Sequence, residues 1–128
     1  MATVGEAMTK DVLTVDPSAS IGEAAEKMEA ANVGAVLVVE DFVRIVGIIT
    51  ERDLMRAVAA RSRAAEARVR QWMTGEPITI EPDLPVEDAL EIMFSRHFRH
   101  LPVVKDGRPL GIVSLRDLAR WRFEHSRS

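Results

Sequence analysis

Gly47-Ile48-Ile49-Thr50-Glu51-Arg52-Asp53 returns 64 residues later as Gly111-Ile112-Val113-Ser114-Leu115-Arg116-Asp117. A shift of 65 lays Val4, Met8, Thr9, Thr14, Pro17, Ala24, Glu26, Met28, Val38, Val39 and Asp41 onto Val69, Met73, Thr74, Thr79, Pro82, Ala89, Glu91, Met93, Val103, Val104 and Asp106. One residue drops out near Val46, and at a shift of 64 Leu54 and Arg56 also fall on Leu118 and Arg120. The chain is therefore one unit written twice, and a site made by one half should have a twin in the other.

Length and composition bound what such a duplicated chain can do. Each half, 1–63 and 64–128 of the 128 residues, is too short to bury much surface alone and is expected to depend on the other. A net charge of -3 with no dense basic block argues against nucleic acid. At 5% aromatic residues, stacking platforms for single strands are also missing. With no cysteine there is no disulfide framework or thiolate metal site, and His97, His100 and His125 are too irregularly spaced for a metal signature. No apolar run approaches a membrane span, and the opening residues lack the regions of a signal peptide. The expectation is a soluble cytoplasmic protein that needs no metal or other cofactor.

Periodicity along the first half changes in an informative order. Val12 to Val15 is β-branched and ends at Asp16-Pro17, which suits a strand and a turn. Ile21, Ala24, Ala25 and Met28 form one helix face, with Ser20 and Glu23 as a capping box, so a helix is expected over 20–31. Ala35 to Val39 and Ile45 to Ile49 read as buried strands, and a second helix starts at Thr50. The Ala- and Arg-rich stretch 59–70 either prolongs that helix or links the halves. In the second half Ile78 to Ile80, Val86 to Met93, Leu101 to Val104 and Leu110 to Val113 repeat the plan. The fold class is α/β, with the order β-α-β-β-α twice.

Taken together, these residues resemble the cystathionine-β-synthase (CBS) domain, whose repeats occur in pairs called Bateman modules. The resemblance rests on Met8-Thr9, the 12–15 strand, the helix through Met28, the 36–39 strand and the Gly47 to Asp53 heptapeptide, each with its counterpart, and it spans about residues 4–123. Leu101-Pro102-Val103-Val104 adds the family's frequent proline, where the first repeat has Val36-Leu37-Val38-Val39. The resemblance implies two repeats packed sheet to sheet with pseudo-two-fold symmetry. It also implies a stand-alone, non-catalytic regulatory module that binds adenosine-containing ligands, AMP or ATP first, with ADP and S-adenosylmethionine also in range.

The heptapeptide has its own chemistry. It ends a strand and opens a helix, where outward backbone N–H groups and the positive helix end favour an anion. Thr50 and Ser114 offer hydroxyls, and Asp53 or Asp117 could accept from both hydroxyls of a ribose. The same Thr-x-x-Asp and Ser-x-x-Asp patterns also describe an N-cap with an acid in the first turn, a role that needs no ligand. Both roles can coexist.

By the resemblance, each ligand set draws on both repeats: Ser114, Arg116 and Asp117 with Leu13, Val33 and Gly34, and Thr50, Arg52 and Asp53 with Ile78, Phe98 and Arg99. Gly34 leaves room for a flat base where Phe98-Arg99 is bulkier, so the Asp117 set is favoured. Arg99 and His100 fall where related nucleotide sensors place phosphate contacts, the alternative being a solvated turn. No nucleophile sits beside a base, so no enzyme is expected, and the alternative function is a ligand-free dimerisation module. Trp72, Trp121 and Phe123 add apolar surface near the second helices, which together with the resemblance leads to an expected homodimer.

Overall fold

The computed structural model describes residues 2–10 and 12–126. The elements in chain order are α1 (Val4–Ala7), β1 (Thr14–Val15), α2 (Ile21–Ala31), β2 (Ala35–Glu40), β3 (Arg44–Thr50), α3 (Glu51–Ala59), α4 (Val69–Trp72), β4 (Thr74–Gly75), α5 (Val86–Arg96), β5 (His100–Lys105), β6 (Arg108–Ser114) and α6 (Leu115–His125). Most follow the repeat. The 20–31 helix begins after Ser20, with both arms of the capping box formed, and stops at Asn32, whose left-handed backbone (φ 55°) cannot continue it. The stretch 59–70 does not prolong α3, because Arg61 turns left-handed at φ 65° and Val69 starts a separate short helix.

The chain divides into two compact units, residues 13–77 and residues 1–12 with 78–128. These units do not coincide with the sequence halves. The first 12 residues belong with the second repeat, and the connecting stretch up to Pro77 belongs with the first. The hydrogen bonding gives the reason. In α1, Val4 N–H donates to Leu84 O at 2.8 Å and Gly5 N–H to Pro82 O at 2.8 Å. In α4, Val69 N–H donates to Ala19 O at 2.8 Å and Arg70 N–H to Pro17 O at 3.0 Å. Each short helix thus finds partners for its first, otherwise orphaned N–H groups in the loop that precedes the long helix of its unit.

Within residues 13–77 a four-stranded sheet runs β1-β2-β3-β4, with β1 parallel to β2 and the other pairs antiparallel. Ile21, Ala24 and Met28 of α2 join Val36, Val38, Ile49, Ala57 and Val69 in one buried cluster. Ala35 and Leu37, on the opposite face of β2, are buried as well, as its unbroken apolar run requires. The other unit pairs β5 with β6 and gathers Val4, Ile80, Val86, Met93, Leu101, Val103, Val113 and Leu118.

Two departures from the repeat have local causes. The strand expected at Ile78 to Ile80 is reduced to a single parallel bridge, Ile80 to Val103. In the first unit Leu37 N–H donates to Leu13 O at 3.1 Å; its counterpart is Pro102, which has no N–H to give. The residue that drops out of the second repeat lies in the hairpin turn rather than near Val46. Glu40 pairs with Arg44 across a three-residue loop, whereas Lys105 pairs with Arg108 across Asp106-Gly107. Positive φ at Asp106 (52°) and Gly107 (76°) suits a tight two-residue turn, and because Asp41 (52°) and Phe42 (68°) match them, Val43 is the extra residue of the first connection.

The glycine that opens the heptapeptide has a packing role. A Cβ on Gly111 would overlap the carbonyl oxygen of Thr9, and one on Gly47 would lie 2.9 Å from the carbonyl oxygen of Thr74 and against Met73. The repeat-matched Met-Thr segments thus cross these strands at backbone distance, sealed by the bridge from Thr9 to Ile112 and by the pair Gly47 to Gly75. Gly111→Ala should destabilise the fold by about 3 kcal/mol, and Gly47→Ala should cost less because the Met73 side chain can move. Urea unfolding measures both, and an unperturbed midpoint in Gly111→Ala would refute the crossing.

Candidate functional site

Thr50 and Ser114 are the N-caps of α3 and α6, and each starts a complete capping box. Thr50 N–H donates to Asp53 Oδ2 at 2.9 Å, and the Thr50 hydroxyl donates to the same oxygen at 3.0 Å while accepting from Asp53 N–H at 3.3 Å. At the second junction Ser114 N–H donates to Asp117 Oδ2 at 2.8 Å, and Asp117 N–H donates to the Ser114 hydroxyl at 2.9 Å. The cap alternative is therefore realised at both junctions. At only one of them does it leave a carboxylate oxygen without a described partner.

The two carboxylates differ in what remains free. Asp53 is buried, with its side chain 6% exposed, and its Oδ1 accepts from Arg56 Nη1 at 3.2 Å. Both of its oxygens are engaged. Asp117 is half-buried, its Oδ1 accepts from no described group, and the Ser114 hydroxyl accepts from Asp117 N–H without donating to the carboxylate. An unengaged carboxylate oxygen beside a hydroxyl is a suitable acceptor pair for a vicinal diol. The Arg56 contact was not legible in the heptapeptide, since it comes from the next turn of the helix.

The remaining expected site residues fall into two groups. Residues 13–77 contain Leu13, Val33, Gly34, Thr50, Arg52 and Asp53. There Leu13 O accepts from Leu37 N–H, and Glu51 N–H donates to Gly34 O at 3.0 Å, so the strand entry, the turn before β2 and the start of α3 adjoin. The other unit contains Ile78, Phe98, Arg99, His100, Ser114, Arg116 and Asp117. Leu115 N–H donates to Arg99 O at 2.8 Å, which fixes the 98–100 turn against the start of α6. Phe98 is half-buried against the core of this unit, while the Arg99 and Arg116 side chains are exposed. Each unit brings together one turn and one capped helix start.

Among the described residues no group of three or more His, Asp or Glu side chains is gathered as a metal site. Among the same described residues no helix is long and apolar enough to cross a membrane.

Residues 4–60 and 69–124 each match the CBS domain family. The chain is 39% identical over 119 residues to the CBS domain-containing protein YhcV of Bacillus subtilis, covering 93% of this chain and 84% of that protein. Its fold is similar to the CBS domain pair of protein MJ0100 in complex with 5′-methylthioadenosine and S-adenosyl-L-methionine, at 29% identity and TM-score 0.90 over 99% of each chain. It is also similar to CBSX2 in complex with AMP, at 25% identity and TM-score 0.84, covering 99% of this chain and 100% of that one.

The unequal engagement of the two carboxylates has a stability signature. Asp53→Ala strips a buried acceptor from Thr50 and Arg56 and should cost about 2 to 3 kcal/mol. Asp117→Ala removes only the reciprocal cap bond and should cost about 1 kcal/mol. Chemical denaturation of the two variants gives the order, and equal losses would contradict the difference in engagement.

Proposed function

This chain belongs to the CBS domain family, and from that membership we propose that it is a non-catalytic sensor that binds an adenosine-containing ligand through the ribose at Asp117. The observation that carries the reading is the free Asp117 Oδ1 beside the Ser114 hydroxyl at the N-terminus of α6. Ribose hydroxyls donate, and an ionised carboxylate only accepts, so the match is one of hydrogen-bond polarity. The ligands of MJ0100 and CBSX2 share adenosine and differ in what the 5′ carbon carries. AMP and ATP remain the first candidates here. Arg116 belongs with Ser114 and Asp117 in the favoured set, and Leu13, Val33 and Gly34 are its proposed base-side residues. Thr50, Arg52 and Asp53, with Ile78, Phe98 and Arg99, are the proposed second, weaker set, and Arg99 and His100 are the proposed phosphate contacts, by charge.

Self-association is a further part of the proposal. Met55 and Val58 on α3, Phe94 on α5 and Phe123 on α6 are each more than 60% exposed. Apolar side chains of this size on solvent-facing helix positions suit burial against a second copy. Light scattering should give about twice 14.2 kDa. A monomer mass at high micromolar concentration would count against the dimer.

The ligand arm has a sharper test. Asp117→Asn keeps the shape of the cap but loses the acceptor-only carboxylate, and should weaken AMP by about 10- to 150-fold with little change in folding. Asp53→Asn should weaken it less. Calorimetric titration with AMP decides: unchanged affinity in Asp117→Asn rejects the ribose role, and a larger loss in Asp53→Asn assigns the ligand to the other junction. If no adenosine compound binds the native protein at millimolar concentration, the ligand-free dimerisation reading replaces this one.

A further inference from the structure

Asp53 and Asp117 occupy the same repeat position, and so do Arg56 and Arg120. Only one of the two pairs forms. Arg56 Nη1 lies 3.2 Å from Asp53 Oδ1, and its guanidinium carbon stands 5.8 Å from the ring centroid of Trp72. Trp72 ends α4, the short helix that adjoins α3 in this unit. Its ring is half-buried against the core, which fixes the face it offers to the arginine. In the other unit α1 adjoins α6 in the same way, but the position matched to Trp72 is Ala7. Arg120 therefore has no aromatic platform, and it forms no ion pair among the described residues.

A guanidinium and a ribose diol are both donors and compete for the same carboxylate lone pairs. Resting on the ribose reading above, we propose that Arg56, steadied by Trp72, is an internal competitor that occupies the Asp53 carboxylate and ranks the two ribose positions, Asp117 first and Asp53 second. The difference is written outside the heptapeptide. It lies in one aromatic residue exchanged for alanine, and that residue acts through the arginine rather than on the ligand.

The probe for the test is 5′-methylthioadenosine, which carries the ribose hydroxyls without phosphate, so that removing a cation does not alter phosphate attraction. The native protein should take up one equivalent per chain, with a second at least about tenfold weaker. Arg56→Ala should tighten that second equivalent about fivefold, as expected for release of a partly exposed ion pair. Arginine 56 is 58% exposed and alanine favours helix, so the variant should fold. Trp72→Leu keeps apolar fill, removes the platform and should shift the second affinity in the same direction by less. In Arg56→Ala/Asp53→Asn the gain should vanish; in Arg56→Ala/Asp117→Asn the second equivalent should persist as the tighter one. An unchanged second affinity in Arg56→Ala, or a gain that survives Asp53→Asn, overturns the ranking alone. Absence of binding in the native protein and in every variant overturns the ribose reading together with it.

Discussion

An extended backbone laid across a strand at a glycine, Thr9 over Gly111 and Thr74 over Gly47, is the contact on which both units depend. With no Cβ in the way, the crossing segment comes close enough to bridge to β6 in one unit and to pair with β3 in the other. That approach decides where the short helices α1 and α4 dock, and their first N–H groups then tie down the loops 82–84 and 17–19. It also explains why each unit takes its leading segment from outside its own sequence half. Three residues beyond each glycine the strand ends at Thr50 or Ser114, so the same contact positions the capped junction.

At that junction, structure and binding draw on the same atoms. The capping box uses one oxygen of each aspartate for the cap residue N–H, and what the other oxygen does separates a committed carboxylate from an available one. The duplicated sequence writes both sites with nearly identical letters. Their divergence comes from the neighbouring helix, where a tryptophan beside one arginine has an alanine as its counterpart. A small change in packing around a pre-existing cap thus makes the twin carboxylates unequal, although an aspartate stands at both positions.

Much of this was readable from the chain alone, for identifiable reasons. Helical spacing in Ile21, Ala24 and Met28 and the Ser20–Glu23 box are local signals, and α2 starts where they place it. The heptapeptide located both strand-to-helix junctions because a strand period ends and a cap begins within it. Less was legible wherever the outcome depended on a distant partner. The four-residue helices α1 and α4 have too short a pattern to read, and they exist through bonds to loops 50 or more residues away, the nearest being Val69 to Ala19. Pro102 was visible as a departure from the first repeat, but its effect appears only when its missing N–H is set against the Leu37 to Leu13 bond. The Arg56 and Trp72 contact joins residues from separate elements and follows from no spacing rule.

Whether Asp117 is the available ribose acceptor and Asp53 the committed one is decided by a crystal structure of the protein grown with one equivalent of AMP per chain. The predicted result is ribose hydroxyls within hydrogen-bond distance of the Asp117 carboxylate, with Arg56 still on Asp53. Nucleotide seated on Asp53 with Arg56 displaced and Asp117 unoccupied, or bound away from both aspartates, would contradict it.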